Sequence, residues 1–284
     1  MILSWKLLVL GIGTMAGVQA QELVSSYHTH LPDSRTAIVH RGFGSAADER
    51  AWTVVLAVSL PLAQLRDSLW LVGVVSHLLQ ANSLNDIGFN PRGARWEEQL
   101  AVIWHRASWT LYGGLLHFCK HEIDNADPPD TDEPVRGYQP TKRVIILHGP
   151  FVGLRYHQYW TSWWKSVVEG RLHFFPIAQD YRIRGSDDLR WRQLRGSFVL
   201  RVSSVGDLGL LRKFVEVAYR SALFVFPLLA RHEYRAEAGV ALGWLPMGFF
   251  VYWEQLFDDL SRPFPHFSRS VGVGLRWYPN ADSK

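Results

Sequence analysis

The sequence predicts an all-β protein, a transmembrane antiparallel up-and-down β-barrel of about 12 strands. Three observations predict it. Apolar and polar side chains alternate with a period of two in segment after segment. The connections between those segments alternate between brief and extended along the chain. No segment after the N-terminal twenty residues reads as a membrane helix, which takes about 20 apolar residues.

Residues 1–20 have the form of a secretory signal. Lys6 supplies a positive start, Leu7 to Val18 is apolar, and Val18-Gln19-Ala20 places small or modest side chains before Gln21. That apolar run is too short for about 30 Å of hydrocarbon. The expected division is therefore a signal peptide at 1–20 and a barrel at 21–284. With 30 basic and 26 acidic residues, the charge is too mild for a nucleic-acid partner. The one cysteine, Cys119, excludes an intrachain disulfide, so an exported chain must find its stability elsewhere. The 13 Trp, 10 Tyr and 15 Phe suit a membrane–water boundary, where an apolar body and a polar tip are both satisfied.

Strands are predicted near 35–43, 50–60, 68–79, 95–106, 108–119, 142–157, 166–176, 189–203, 211–225, 232–244, 248–257 and 266–278. In the seventh, Val168, Gly170, Leu172 and Phe174 oppose Glu169, Arg171, His173 and Phe175. In the tenth, Tyr234, Ala236, Ala238, Val240 and Leu242 form an apolar face, with Glu233, Arg235 and Glu237 opposite. In the last, Val271, Val273, Leu275 and Trp277 oppose Ser270, Gly272, Gly274 and Arg276. The uncharged run Ala238 to Trp253 is interrupted by Gly243, Pro246 and Gly248, which favours a hairpin over a helix.

Brief connections are expected around Pro61 to Arg66, Arg106-Ala107, Ser204 to Gly209 and Leu245 to Gly248. Extended ones are expected around Gln80 to Ala94, Lys120 to Thr141, Ile177 to Asp188 and Gln255 to Pro265. The link from Tyr159 to Lys165 is intermediate and rich in Trp. Short turns on one side and long loops on the other, with both termini on the short side, form the outer-membrane pattern. Closure is a physical necessity, because every backbone N–H and C=O in hydrocarbon must pair within the protein. The expected location is the cell outer membrane, with its lipid as the surrounding partner.

Ser270, Gly272, Leu275 and Trp277 resemble the C-terminal signal of outer-membrane barrels, although Tyr278 to Lys284 follow where such signals usually end the chain. The resemblance implies the barrel-assembly machinery as a partner. A second, local resemblance lies in His117-Phe-Cys119-Lys-His121-Glu-Ile-Asp124. Outer-membrane phospholipase A and lipid A deacylase barrels carry His-x-Ser near the outer rim of a strand; other barrel proteins of unsettled function carry a longer run with a second His and a following acid, and His121 and Asp124 match only that longer form. Here Cys119 stands where the serine would be, and the Gly and Asn usual after the phospholipase serine are absent.

His117, Cys119, His121 and Asp124 are thus the candidate catalytic residues. Residues two apart on a strand share a face, so His117 and Cys119 project together, in line with Trp109, Leu111, Gly113 and Leu115. The opposite face is scarcely more polar, so alternation alone does not choose between lipid and lumen on this strand. Facing lipid, His117 would serve as general base to Cys119, with Asp124 orienting the imidazole, and ester cleavage of an acyl chain would follow. Metal binding by the same run would need a turn near Lys120, since His117 and His121 lie about 13 Å apart on an extended chain. No cofactor is expected: the sequence holds no phosphate loop and no Cys-x-x-Cys pair.

His40, His77 and His148 are scattered through predicted strands, and His77 falls near the same rim as His117. Arg182, Arg184, Arg190, Arg192, Arg195 and Arg201 form the densest basic region. They either line an anion-selective lumen or pair with Glu169, Glu233, Glu237 and Glu254 as a charged plug. The reading is an integral outer-membrane barrel of unassigned specific activity, structural or narrow-lumened. Its rivals are a lipid acyl hydrolase and a small anion or solute channel.

Overall fold

A computed structural model describes residues 36–44, 51–83, 88–122, 144–181, 191–225, 228–242, 247–257 and 267–277. The signal segment 1–20, Asp124, Arg182, Arg184 and Arg190 lie outside the described residues.

Along the chain the strands are β1 (Thr36–Gly44), β2 (Trp52–Arg66), β3 (Leu69–Asn82), β4 (Asn90–Arg106), β5 (Trp109–Glu122), β6 (Val144–Tyr159), β7 (Trp164–Phe174) and β8 (Ile177–Tyr181). After one 3₁₀ turn, Trp191–Gln193, follow β9 (Leu194–Asp207), β10 (Leu211–Phe224), β11 (Leu229–Leu242), β12 (Met247–Leu256) and β13 (Ser268–Trp277). Each pairs antiparallel with its neighbours, and β13 pairs with β1, as in Val39 opposite Leu275. The ring therefore has no free edge, which is what hydrocarbon demands.

Strands β7 and β8 occupy one position in that ring. β7 pairs with β6 from Phe151 onward and β8 pairs with Val144 to His148. Pro176, which has no N–H to give the ladder, lies at the break. The barrel thus has twelve walls, as the alternation predicts.

Turns at 67–68, 107–108, 160–163 and 208–210 close one end; segments 45–51, 83–89, 123–143, 182–193 and 257–267 connect strands at the other. Several expectations need correction. The brief turn expected at Pro61 to Arg66 is strand: β2 runs to Arg66 and reverses only at Asp67-Ser68. The ladder shifts register at Pro61/Ala63 and Gln64/Arg66, and such bulges accommodate the missing proline N–H. Gln80 and Ala94 belong to strands, because β3 and β4 continue pairing through Asn82 and Asn90. Ile177 to Tyr181, expected in a loop, is strand held by β6. The strand expected from 189 begins at Leu194, as β9. One connection at the long end, 225–228, is short.

The two-residue turn after β4 holds Ala107 at a φ of 50°, a left-handed conformation in which a Cβ crowds the backbone. Ala107→Gly is expected to stabilise the fold by about 1 kcal/mol, seen as a higher urea midpoint in detergent; a lower midpoint would contradict it.

The greasy face looks outward. In β13, Val271, Val273, Leu275 and Trp277 are 53, 52, 40 and 44 % exposed, while Ser270 and Arg276 are 4 and 0 % exposed. The same sidedness holds for Val168, Leu172 and Phe174 in β7 and for Tyr234, Val240 and Leu242 in β11. Inside, buried aromatic and aliphatic side chains such as Tyr112, Phe151 and Phe224 share the space with charge. The rings of Tyr112 and Tyr252 lie where a Cβ on Gly153 or Gly272 would stand, so glycine is needed at both places.

Among the described residues, seven buried cations (Arg95, Lys120, Arg155, Arg171, Arg201, Arg235 and Arg276) meet seven buried carboxylates (Glu97, Glu169, Asp180, Glu216, Glu233, Glu237 and Glu254). Arg201 lies 3.6 Å from Glu169 and 4.0 Å from Glu216, Arg220 lies 3.3 Å from Glu233, and Arg235 pairs with both Glu237 and Glu254. The glutamates expected in a charged plug are therefore paired, though mostly by Arg220, Arg235 and Arg276. Of the described members of the basic cluster around Arg190, Arg201 reaches this network, Arg192 is exposed and Arg195 bonds backbone carbonyls at its strand end. Among the described residues the interior is filled and balanced in this way, which favours a charged plug over an open lumen. Planar-bilayer recordings are expected to show baseline conductance, and a steady open-pore current would refute the filled interior.

Candidate functional site

Strand β5 rises from the turn at 107–108, with Trp109 at its foot. Trp109, Leu111 and Leu115 are exposed, whereas Thr110, Tyr112, Leu116, Phe118 and Lys120 are buried inside. His117, Cys119 and His121 share the parity of the exposed set, so they belong to the lipid-facing wall. His117 stands eight residues beyond Trp109. At roughly 3.3 Å per residue and a tilt of about 40°, that is about 20 Å higher, near the far margin of an apolar band about 25 Å tall.

The tight turn fixes what flanks β5 on one side. Counting outward from it places Glu98 opposite His117 and Trp96 opposite Cys119, and these are the observed partners. On the other side, β6 puts His148 opposite His117 and Ile146 opposite Cys119. One outward row across the sheet is therefore Glu98, His117 and His148. The row nearer the long-connection end is His77, Trp96, Cys119 and Ile146.

Contacts within these rows are specific. Cys119 Sγ lies 2.6 Å from His121 Nε2. His117 Nδ1 lies 3.0 Å from His148 Nδ1, with ring centroids 4.4 Å apart. His77 stacks on Trp96 at 5.0 Å, and Trp96 meets His121 edge-on at 5.5 Å. Trp96 and His121 thus crowd the thiol, and although Cys119 sits on the outward face it is only 8 % exposed. A nucleophile type and a base type are in contact on the outward face, with a second pair of imidazoles one step deeper.

Of the predicted site residues, the structure brings Cys119 and His121 together and directs the Nδ1 of His117 to His148. Among the described residues no three His, Cys, Asp or Glu side chains converge as a metal site would require. Sequence reasoning passed over Glu98 and Trp96, although the two-residue turn and strand parity were enough to pair them with His117 and Cys119. His148 was named only as a scattered histidine. No count reaches it from β5, because 123–143 intervene and leave the β5–β6 register open. Behind this wall lies a cavity of about 30 Å³, lined by Arg95, Glu97, Phe118, His173, Ser197 and Arg220, roomy enough only for a water-sized guest.

No family model matches the chain. No curated protein matches it. Solved structures similar in chain path include outer membrane phospholipase A from Escherichia coli, 12 % identical over 86 % of this chain and 93 % of that one, with a TM-score of 0.47. Another is the Salmonella typhi outer membrane phospholipase dimer with bound calcium, 12 % identical over 90 % and 94 %, TM-score 0.49. LpxR from Salmonella typhimurium is 11 % identical over 87 % and 100 %, TM-score 0.45.

Proposed function

We propose that this integral barrel resides in the outer membrane and cleaves acyl esters of lipid at its outer wall, with Cys119 as nucleophile and His121 as its base. The observation that carries the reading is the contact of Cys119 Sγ with His121 Nε2 at 2.6 Å on the lipid-facing side. His121 accepts the thiol proton as sulfur attacks the carbonyl carbon, and the imidazolium then protonates the departing alkoxide. The resulting acyl-thioester is hydrolysed by water that gives its proton to His121, and the carboxylate leaves as the thiol is restored.

His117 supports the oxyanion in this scheme. When His148 donates its Nδ1–H to His117 Nδ1, the Nε2 of His117 carries a proton to offer the carbonyl oxygen. Glu98 stands in register with His117; with both nitrogens of His117 engaged in this scheme, Glu98 acts on the site through its charge and not as the imidazole-orienting acid expected of Asp124. The test is intact-mass analysis of the folded protein after brief exposure to phospholipid in mixed micelles. A hydroxylamine-sensitive acyl adduct on Cys119 is expected. Acyl release with no thiol adduct would rule out this nucleophile.

The apolar outer wall, closed ring and short-turn end support outer-membrane residence, with the short turns in the periplasm. We further propose that β13 is recognised by the barrel-assembly machinery through Ser270, Gly272, Leu275 and Trp277. As the strand that closes on β1, it completes the ring. Leu275→Ala with Trp277→Ala should slow membrane assembly in cells without lowering the stability of refolded barrel in proportion. Unchanged assembly would refute it.

A further inference from the structure

The lipid-facing foot of β4, β5 and β6 passes from apolar to polar within one step. One outward row across these strands is Val102, Gly113 and Val152, and the next toward the short turns is Trp104, Leu111 and Leu154. Below it stand Arg106, Trp109 and Tyr156, followed on β6 by Gln158. All share the parity of the exposed Val102, Leu111 and Leu154, so they face outward. The wall therefore ends in a guanidinium, an indole, a phenol and an amide, at the depth where hydrocarbon gives way to headgroups.

What these groups can offer is set by the bonds they already make. The Arg106 guanidinium lies over the Trp104 ring at 5.9 Å, a contact that leaves its N–H edge clear. The Trp109 ring packs on Tyr156 at 4.5 Å. Tyr156 Oη donates to Gln158 Oε1 at 2.8 Å, and Gln158 Nε2 uses one N–H on the Tyr159 carbonyl at 3.2 Å. The second N–H of Gln158, the indole N–H of Trp109 and the N–H groups of Arg106 have no hydrogen-bond partner among the described residues. The turns flanking this foot, 67–68, 107–108 and 160–163, are all described. Their one carboxylate, Asp67, forms no ion pair with Arg106.

Arginine and tryptophan side chains donate and do not accept. A donor set with one positive charge suits a group that is anionic and accepts without donating, which describes a phosphodiester. A sugar hydroxyl would also bring a donor, for which this row holds no carboxylate. We propose that Arg106, Trp109 and Gln158 seat the phosphodiester of a phospholipid in the leaflet at the short-turn end. Its acyl chains lie against Leu111, Leu154 and Val152 on the wall above, all exposed. Cys119 stands ten residues further along β5, near the other leaflet, so the seat is independent of ester cleavage.

Native mass spectrometry of the full chain in a non-ionic detergent tests this, with dioleoylphosphatidylglycerol, dioleoylglycerol or inorganic phosphate as separate probes. Phosphatidylglycerol is expected to be retained above dioleoylglycerol, and about tenfold less by the Arg106→Gln/Trp109→Phe double variant. Trp109→Phe keeps a ring against Tyr156 and removes the N–H. Lys213→Gln, which removes an exposed cation at the same end on β10, should retain the lipid fully. Undiminished retention by the double variant, equal retention of dioleoylglycerol, or complete displacement of the lipid by inorganic phosphate would each overturn the proposal. Unboiled gel mobility confirms that each variant has folded.

Discussion

Cys119→Ala is expected to reduce acyl release from lipid to the rate of protein-free micelles, with the barrel still folded. The thiol is the one atom in the proposed scheme that bonds the acyl group, so nothing replaces it. His121→Ala should lower kcat by about 10²–10⁴-fold, the range for losing a general base. His148→Ala should act through His117, lowering kcat more than it raises KM, because it removes orientation and leaves the surrounding lipid contacts intact. Glu98→Gln keeps the shape and removes the charge; a shifted pH–rate profile is expected, which a purely structural role would not produce. Leu115→Ala, on the same wall but without a reactive group, serves as the control. Undiminished acyl release from folded Cys119→Ala protein would end the nucleophile assignment. If the native protein releases no acyl chain from any lipid class, the hydrolase reading fails outright.

The second large effect is expected inside the barrel. Arg235 is held between Glu237 and Glu254, Arg276 also bonds Glu237, and Ser270 donates to Glu254 at 2.9 Å. All four charged side chains are at most 1 % exposed. Arg235→Met leaves two carboxylates without their shared cation, and the cost of breaking such a buried pair is about 3–5 kcal/mol. The unfolding midpoint in denaturant, measured in the same lipid or detergent, should fall accordingly. Adding Glu254→Gln should recover much of the loss, because the damage comes from unbalanced charge more than from lost volume. A single-variant cost below about 1 kcal/mol would show that water or a neighbour compensates, and would contradict the tightly filled interior.

Much of this architecture was legible before the structure. Alternation in 166–176, 232–244 and 266–278 correctly placed Val168, Tyr234 and Val271 on one side and Glu169, Glu233 and Ser270 on the other, since strand parity is a local property. The brief link at 106–107 was found because a tight turn leaves a compositional mark; the one expected at 204–209 came too early, since Ser204 to Asp207 are paired strand and the chain reverses at 208–210. Pro61 misled: it signals a turn, yet a bulge in β2 absorbs it and the strand continues to Arg66. Pro176 had the opposite effect. The run Ile177 to Tyr181 passed for loop, and only its pairing with β6 makes it strand.

The candidate site divides in the same way. That His117, Cys119 and His121 share a face follows from their spacing alone, and Glu98 could be counted across the two-residue turn. Sequence by itself therefore determined the number of walls, their sidedness and the chemistry carried by β5, because each of these depends on residues close together in the chain. Only the tertiary structure decided that this face meets lipid, that His148 stands against His117, and that Arg235 lies between Glu237 and Glu254. Those relations join strands whose connections set no register. They arise when the ring closes and every backbone hydrogen bond must find its partner at once.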